Sequence, residues 1–172
     1  MIEGWRVNDL AVHLDERGSF TELLRKDWQE FLGDDQIVQF NLSYSYPGVV
    51  RAWHRHLKGQ NDYFMVTEGS IKVCAYDERQ DSPTYGELDE VVLGPGRMRV
   101  VRVPGVCWHG YKATSSHPVK VLYGVTRLYE YKDPDELRRP WNDPKIVPKC
   151  INGKTDDPRV GKPWDWYLSP NK

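Results

Sequence analysis

The chain has no surplus of positive charge: 24 lysines and arginines stand against 25 aspartates and glutamates, a formal net charge of −1. That balance gives no basic field of the kind that holds nucleic acid or anionic lipid, so any anion must be gripped locally, and neither nucleic acid nor membrane is an expected partner. No apolar run approaches the ~20 residues that span a bilayer. The opening MIEGWRVNDL also lacks a charged region followed by an apolar stretch, and a cytoplasmic location is expected. Cysteine is scarce, and Cys74, Cys107 and Cys150 form an odd count without CxxC spacing. This argues against a disulfide framework or a zinc knuckle and for buried or incidental thiols.

Long helical periodicity is also missing. In its place, short apolar or alternating runs recur through the first 130 residues, separated by Gly, Pro, Asp and Asn turns, which is the punctuation of an all-β barrel or sandwich. Strands are expected near 10–14, 19–24, 36–46, 49–56, 62–67, 70–77, 87–92, 98–103 and 119–131, with short helices over 27–33 and 134–139. Twelve prolines and fourteen glycines suit that many turns, and ERQDSPTYGE (78–87) is a loop by composition. The 172 residues fit one domain. Residues 1–140 are expected to form the barrel, and 141–172 a tail packed on it by Trp141, Trp164 and Trp166, because three tryptophans are costly to leave in water.

Two of the five histidines lie in VVRAWHRHLKGQNDYF. His54 and His56 are two apart, so on a strand both imidazoles enter the same space. His109, after the turn signal VPGVCW, could close on them from a later strand, whereas His13 and His117 have surface contexts. Gly48, His54, His56, Asp62 and Gly69 fall close to the first cupin motif, and Pro104 to His109 looks like the second, which implies a cupin-type double-stranded β-helix, a jelly-roll barrel. Three readings of the cluster stand open. The set His54, His56, Asp62 and His109 has the donors of a divalent-metal site, a single imidazole can act as general base, or the pair can be a hydrogen-bonded pocket wall.

The wider string narrows the choice. DERGSFTEL (15–23), QFNLSYSYPGVVRAWHRH (39–56), EGSIKVCAYDERQDSPTYGE (68–87), VPGVCWHGY (103–111), VLYGVTRLYEY (121–131) and PWNDPKI (140–146) together resemble the dTDP-4-dehydrorhamnose 3,5-epimerase family. Order and spacing agree with its patterns D-x-R-G-x-F-x-E, Q-x-N-x-S-x-S and G-V-x-R-G-L-H. The resemblance implies an isomerase that epimerises C3, C5 or both in a nucleotide-linked 4-keto-6-deoxy sugar without a redox cofactor, working in polysaccharide or related glycosylation as a homodimer. His54 would be the base and Tyr129 the acid on the opposite face, with Tyr131 as an alternative of the same strand parity. Arg17, Glu22, Gln39, Asn41, Arg51, His56, Gln60, Asp62 and His109 would contact the substrate. Arg51 and His54 face oppositely on a regular strand, so a bulge or a reach around the rim is needed for both to meet one ligand.

Several positions depart from the pattern. Asp62 stands where the family has a lysine that stabilises the enolate oxygen, Val73 where it has that lysine's aspartate partner, and Trp53 and His56 where it has leucine and glutamine. The late S-x-K-D, whose aspartate orients the base, has no match between Cys150 and Lys172. These changes leave two rival expectations beside a metal-free epimerase. One is a cupin isomerase or oxygenase with a divalent metal on His54, His56, Asp62 and His109, and the other is a sugar-nucleotide binding module without turnover.

Overall fold

Alternating and continuous apolar runs become thirteen short strands and one helical turn in the computed structural model, which describes residues 1–168. The order is β1 (Arg6–Asp9), β2 (His13–Asp15), β3 (Gly18–Phe20), α1 (Gln29–Leu32), β4 (Gln39–Ser45), β5 (Val50–Arg55), β6 (Asn61–Glu68), β7 (Ile71–Tyr76), β8 (Glu87–Leu93), β9 (Arg99–Pro104), β10 (Trp108–Ala113), β11 (Val119–Val125), β12 (Leu137–Arg138) and β13 (Cys150–Ile151). One sheet runs β1-β9-β6-β11-β4 and the other β12-β5-β10-β7-β8-β13, while β2 and β3 pair only with each other. All pairings are antiparallel except β13 on β8.

The main core lies between the sheets, where Phe64, Val66, Val101, Val103 and Val121 meet Ile71, Val73, Ala75, Leu93 and Tyr111. Each sheet is also covered on its far side. Leu10 and the helical turn, through Phe31 and Leu32, pack on Tyr63, Met65 and Val100. Ile146, Ile151, Trp164 and Trp166 pack on Trp53, Cys74, Leu88 and Trp108. Burial on both faces explains why β7 reads as an unbroken run of buried residues rather than an alternation.

The last segment through residue 168 therefore packs against the second sheet, with Trp53 and Trp166 ring centroids 4.8 Å apart. Trp141 departs from the expectation: it is half exposed, and its carbonyl accepts the Trp166 indole N–H at 3.1 Å. The end of the tail, 169–172, lies outside the described residues.

β4 reverses the usual pattern. Gln39, Asn41, Ser43 and Ser45 face inward, whereas Phe40, Leu42 and Tyr44 face out and are more than half exposed. It is also an edge strand.

Several expected boundaries fail. The strand over 10–14 is interrupted at Leu10, which turns into the core beside the helical turn, and the one over 19–24 stops at Phe20. The strand over 119–131 ends at Val125, where Thr126 Oγ1 accepts the Asn61 amide at 2.8 Å and the chain leaves the sheet. No helix forms over 134–139, a stretch bounded by Pro134 and Pro140; its middle instead makes β12 on β5. Strand β1 lies outside the expected runs, and the later strand expected to carry His109 is β10.

Candidate active site

A cavity of about 600 Å³ opens at one end of the sandwich. Strand β5 supplies its base through an irregularity: His109 pairs with His54, but the next residue, Gly110, pairs with Ala52, so Trp53 is skipped. That shift turns Arg51 and His54 toward the same cavity, with the indole of Trp53 sent into the opposite core. Gly110 permits it, since a Cβ there would lie 2.3 Å from the Ala52 Cβ.

The imidazoles of His54 and His109 meet at 4.3 Å between centroids, edge on, and His56 lies 5.5 Å from His109. Beneath them sits the buried Asp62 carboxylate, 3.0 Å from His109 Nε2 and 3.5 Å from His56 Nε2, accepting the Gln60 amide at 2.7 Å. His109 donates from Nδ1 to the Cys107 carbonyl at 2.9 Å, and His56 Nδ1 donates to the Asp135 carbonyl. His109 is wholly buried and does not line the cavity, which corrects its expected place among the substrate contacts: β10 holds it behind His54 and Asp62.

Electrostatics separate the three groups. Burial, and then the adjacent His109, hold His54 well below the ordinary imidazole value against an opposing pull from Asp62, so the ring is neutral at pH 7. Burial also works against a charged His56, but the hydrogen bond and charge of Asp62 outweigh it and raise its value. Burial alone would raise Asp62; the hydrogen bonds from His109 and His56 hold it below the usual carboxylate range. A negative charge is placed near His54 by Asp62, which comes from β6 of the other sheet.

His54, Asp62 and His109 each offer a donor atom within 4.8 Å of the others and could hold a divalent ion. His56 does not join that set, and its Nδ1 is taken by Asp135, so the expected four-residue ligand set reduces to three.

An irregular segment after β11 also lines the cavity. Tyr129 and Tyr131 both reach the cavity, 45% and 89% exposed, with ring centroids 5.2 Å apart. Because β11 has ended, strand parity does not relate them, contrary to expectation. Gln39 and Asn41 line the floor, where the Gln39 side chain donates to Asn41 at 2.8 Å and accepts the Tyr129 amide at 3.1 Å. Gln39 thus holds the tyrosine segment as well as facing the ligand space.

Arg17 and Glu22 are not in this chain's cavity. Arg17 sits at the β2–β3 turn, paired with Asp15 and 85% exposed, and Glu22 pairs with Arg25 at 2.6 Å. The hairpin hydrogen-bonds only to itself, so it projects from the barrel instead of folding over it.

Other wall residues were not anticipated. Tyr111 donates to Ser43 at 3.1 Å and lies 2.9 Å from Ser45 Oγ, which accepts from Arg51 at 2.9 Å. The alternation Gln39, Asn41, Ser43, Ser45 was a usable signal for the serines. Arg127, Arg138 and Arg139 had none, since they lie where no period runs.

Comparison with known proteins adds the following. Residues 1–169 match the family described as dTDP-4-dehydrorhamnose 3,5-epimerase. A probable low-salt glycan biosynthesis epimerase of Haloferax volcanii is 49% identical over 136 residues, covering 79% of this chain and 86% of that protein. The spore coat polysaccharide biosynthesis protein SpsL of Bacillus subtilis is 38% identical over 146 residues, covering 85% and 94%. Among solved structures, the dTDP-6-deoxy-D-glucose-3,5-epimerase RmlC of Legionella pneumophila, in complex with dTDP-4-keto-L-rhamnose, superposes with a TM-score of 0.76 at 27% identity over 98% of this chain and 81% of that one.

Proposed function

The chain belongs to the dTDP-4-dehydrorhamnose 3,5-epimerase family, an isomerase acting at C3 or C5 of a nucleotide-linked 4-keto-6-deoxy sugar, and from that premise we propose that His54 is its base and Tyr129 its acid. The observation that carries this reading is a neutral imidazole facing a cavity of about 600 Å³, with a tyrosine on its wall. His54 takes the proton from the carbon beside the C4 ketone, leaving an enolate and an imidazolium. Tyr129 then donates its phenolic proton to the same carbon from the other face, and solvent restores both groups. Each group is expected to contribute ~10²–10⁴-fold.

The missing lysine is replaced by charge at a different place. His56 lines the cavity and is held toward its cationic form by Asp62, with Nδ1 on the Asp135 carbonyl and Nε2 3.1 Å from the Gln60 side-chain amide and 3.5 Å from Asp62. It acts on the enolate as a nearby positive charge, and Asp62 is countered by its own histidine partners. Arg51, Arg127, Arg138 and Arg139 around the cavity grip the nucleotide diphosphate. Gln39, Asn41 and Gln60 hold the sugar by directional hydrogen bonds. A cytoplasmic location suits a nucleotide-sugar substrate and three unpaired cysteines; among the described residues, no helix is long and apolar enough to cross a membrane.

The working unit is a homodimer. An edge strand with Phe40, Leu42 and Tyr44 turned outward is covered by a second copy, whose projecting hairpin carries Arg17 and Glu22 to the neighbouring cavity. Deuterium uptake from solvent into dTDP-linked 4-keto-6-deoxy sugars tests the chemistry. Uptake abolished in His54→Ala supports it; binding without uptake in the native protein indicates a binding module. The triad His54, Asp62 and His109 favours one rival, a divalent-metal isomerase or oxygenase, which stoichiometric metal in the active protein would establish.

A further inference from the structure

The segment bearing Tyr129 leaves β11 after Val125, crosses the cavity wall and returns as β12, where Arg138 pairs with His54. Between those ends, Leu128, Tyr129, Glu130, Tyr131, Lys132 and Asp133 are all exposed. Such a stretch has little core packing to fix it. Apart from the Tyr129 amide on Gln39 at 3.1 Å, its attachments converge on the turn that follows the base strand. The Asp135 carboxylate accepts the backbone amides of Leu57 and Lys58, each at 2.8 Å, and the Asp135 carbonyl accepts His56 Nδ1–H. Arg127 donates to the Lys58 carbonyl at 3.0 Å, and Lys58 pairs with Asp133.

These contacts differ in weight. The Lys58–Asp133 pair joins two solvated side chains and holds little. The Asp135 bonds are charge-assisted and satisfy amides that have left the β5 ladder. Aspartate is a residue type that caps helices, but here its carboxylate caps a neighbouring turn. Asp135 thus joins the Tyr129 segment to the residues that directly follow His54, and its carbonyl bonds the ring that contacts Asp62.

Inversion needs the acid and the base at a fixed separation across one carbon, and an error of ~1 Å in such placement can cost ~10²-fold. We propose that Asp135 is a positioning residue that ties the Tyr129 segment to the His56–Lys58 turn and thereby sets how much of the enolate is inverted rather than reprotonated by His54 on its original face. This rests on the assignment of His54 and Tyr129 as base and acid. With the tie cut, proton removal continues while delivery from the other face falters, so solvent deuterium enters carbons that keep their configuration.

The test compares the native protein, Asp135→Ala and Asp135→Asn in deuterated buffer, following deuterium uptake and inversion of a dTDP-linked 4-keto-6-deoxy sugar together. Backbone hydrogen exchange of the substrate-free proteins is measured alongside. In Asp135→Ala the ratio of uptake to inversion should rise about tenfold, and residues 126–136 and the amides of Leu57 and Lys58 should lose protection. Asp135→Asn, which keeps one acceptor oxygen, should fall between and guards against a variant that does not fold. An unchanged ratio with both rates falling in parallel, or unchanged protection, overturns the proposal. A native protein with neither uptake nor inversion sinks the epimerase chemistry instead. The protection data then decide the tie on their own, lost protection upholding it and unchanged protection rejecting it.

Discussion

The wall that carries His54 and the wall that carries Tyr129 line one cavity but are held by different means. His54 stands on a strand paired on both sides, by β10 and β12, with His109 packed against its ring and the Trp53 ring centroid 4.8 Å from that of Trp166. Tyr129 stands on exposed irregular chain held by a few polar contacts. Burial on the first wall sets a protonation state, keeping an imidazole neutral, and exposure on the second leaves a tyrosine free to meet solvent between turnovers. Proton abstraction wants a desolvated base, and a reprotonating acid wants access to a source of protons, so the asymmetry suits the reaction.

The largest expected effect is on the rigid wall. His54→Ala should lower deuterium uptake and inversion together by about 10³-fold, with binding of a dTDP-sugar retained by calorimetry. Uptake within about tenfold of native would place the base elsewhere. Next, Tyr129→Phe should lower inversion ~10²-fold while uptake falls much less, and Tyr131→Phe should stay within roughly threefold of native for both. A reversed ranking of the two tyrosines by the same assay would move the acid to Tyr131.

A third effect concerns what lies behind Tyr129, at the outer face of β4. Leu42→Asp should convert a dimer to a monomer in light scattering and lower kcat/KM about tenfold, since Arg17 no longer reaches a neighbour's cavity. A native protein that is already monomeric contradicts the dimer. The smallest effect is on pH. His54 must be neutral to accept a proton and is held well below its ordinary value, so kcat/KM should stay flat as pH falls to about 6.5 and drop only below it. His56 is shifted the other way, by the hydrogen bond and charge of Asp62 against its burial, so its charge is kept to higher pH than that of an ordinary imidazole. An acid limb at or above about 6.5 would show that the His54 ring is not desolvated.

Much of the rigid wall was legible in the sequence, and little of the other one. Two-residue spacing put His54 and His56 on one face, and the motif QFNLSYSYPGVVRAWHRH carried the family and left a bulge or a reach around the rim to bring Arg51 to His54, of which the register shift shows the bulge. The inward serines of β4, Ser43 and Ser45, lie on the same alternation as Gln39 and Asn41 but were not read from it. His109 was found as a residue but not as a buried one, because its depth depends on β10 lying between β5 and β7, a nonlocal fact. Arg17 and Glu22 were named by motif, but the motif did not show that they lie outside this cavity. The Tyr129 segment defeated the reading twice. Apolar residues up to Tyr131 imitated a continuing strand, and DELRR imitated a helix, while the contacts that decide the matter, Thr126 to Asn61 and Asp135 to Leu57 and Lys58, join residues ~65–80 apart. Local periodicity carries no information about such pairs.

The account's central claim is that two groups of different character work on opposite faces of one carbon, and deuterium uptake resolved by configuration tests it most directly. Native protein, His54→Ala and Tyr129→Phe would each be incubated with a dTDP-linked 4-keto-6-deoxy sugar in deuterated buffer, and the label located at C3 or C5 by nuclear magnetic resonance. The account predicts label in inverted product for the native protein, none for His54→Ala, and label mostly in uninverted sugar for Tyr129→Phe. Equal loss of label and inversion in both variants would contradict it.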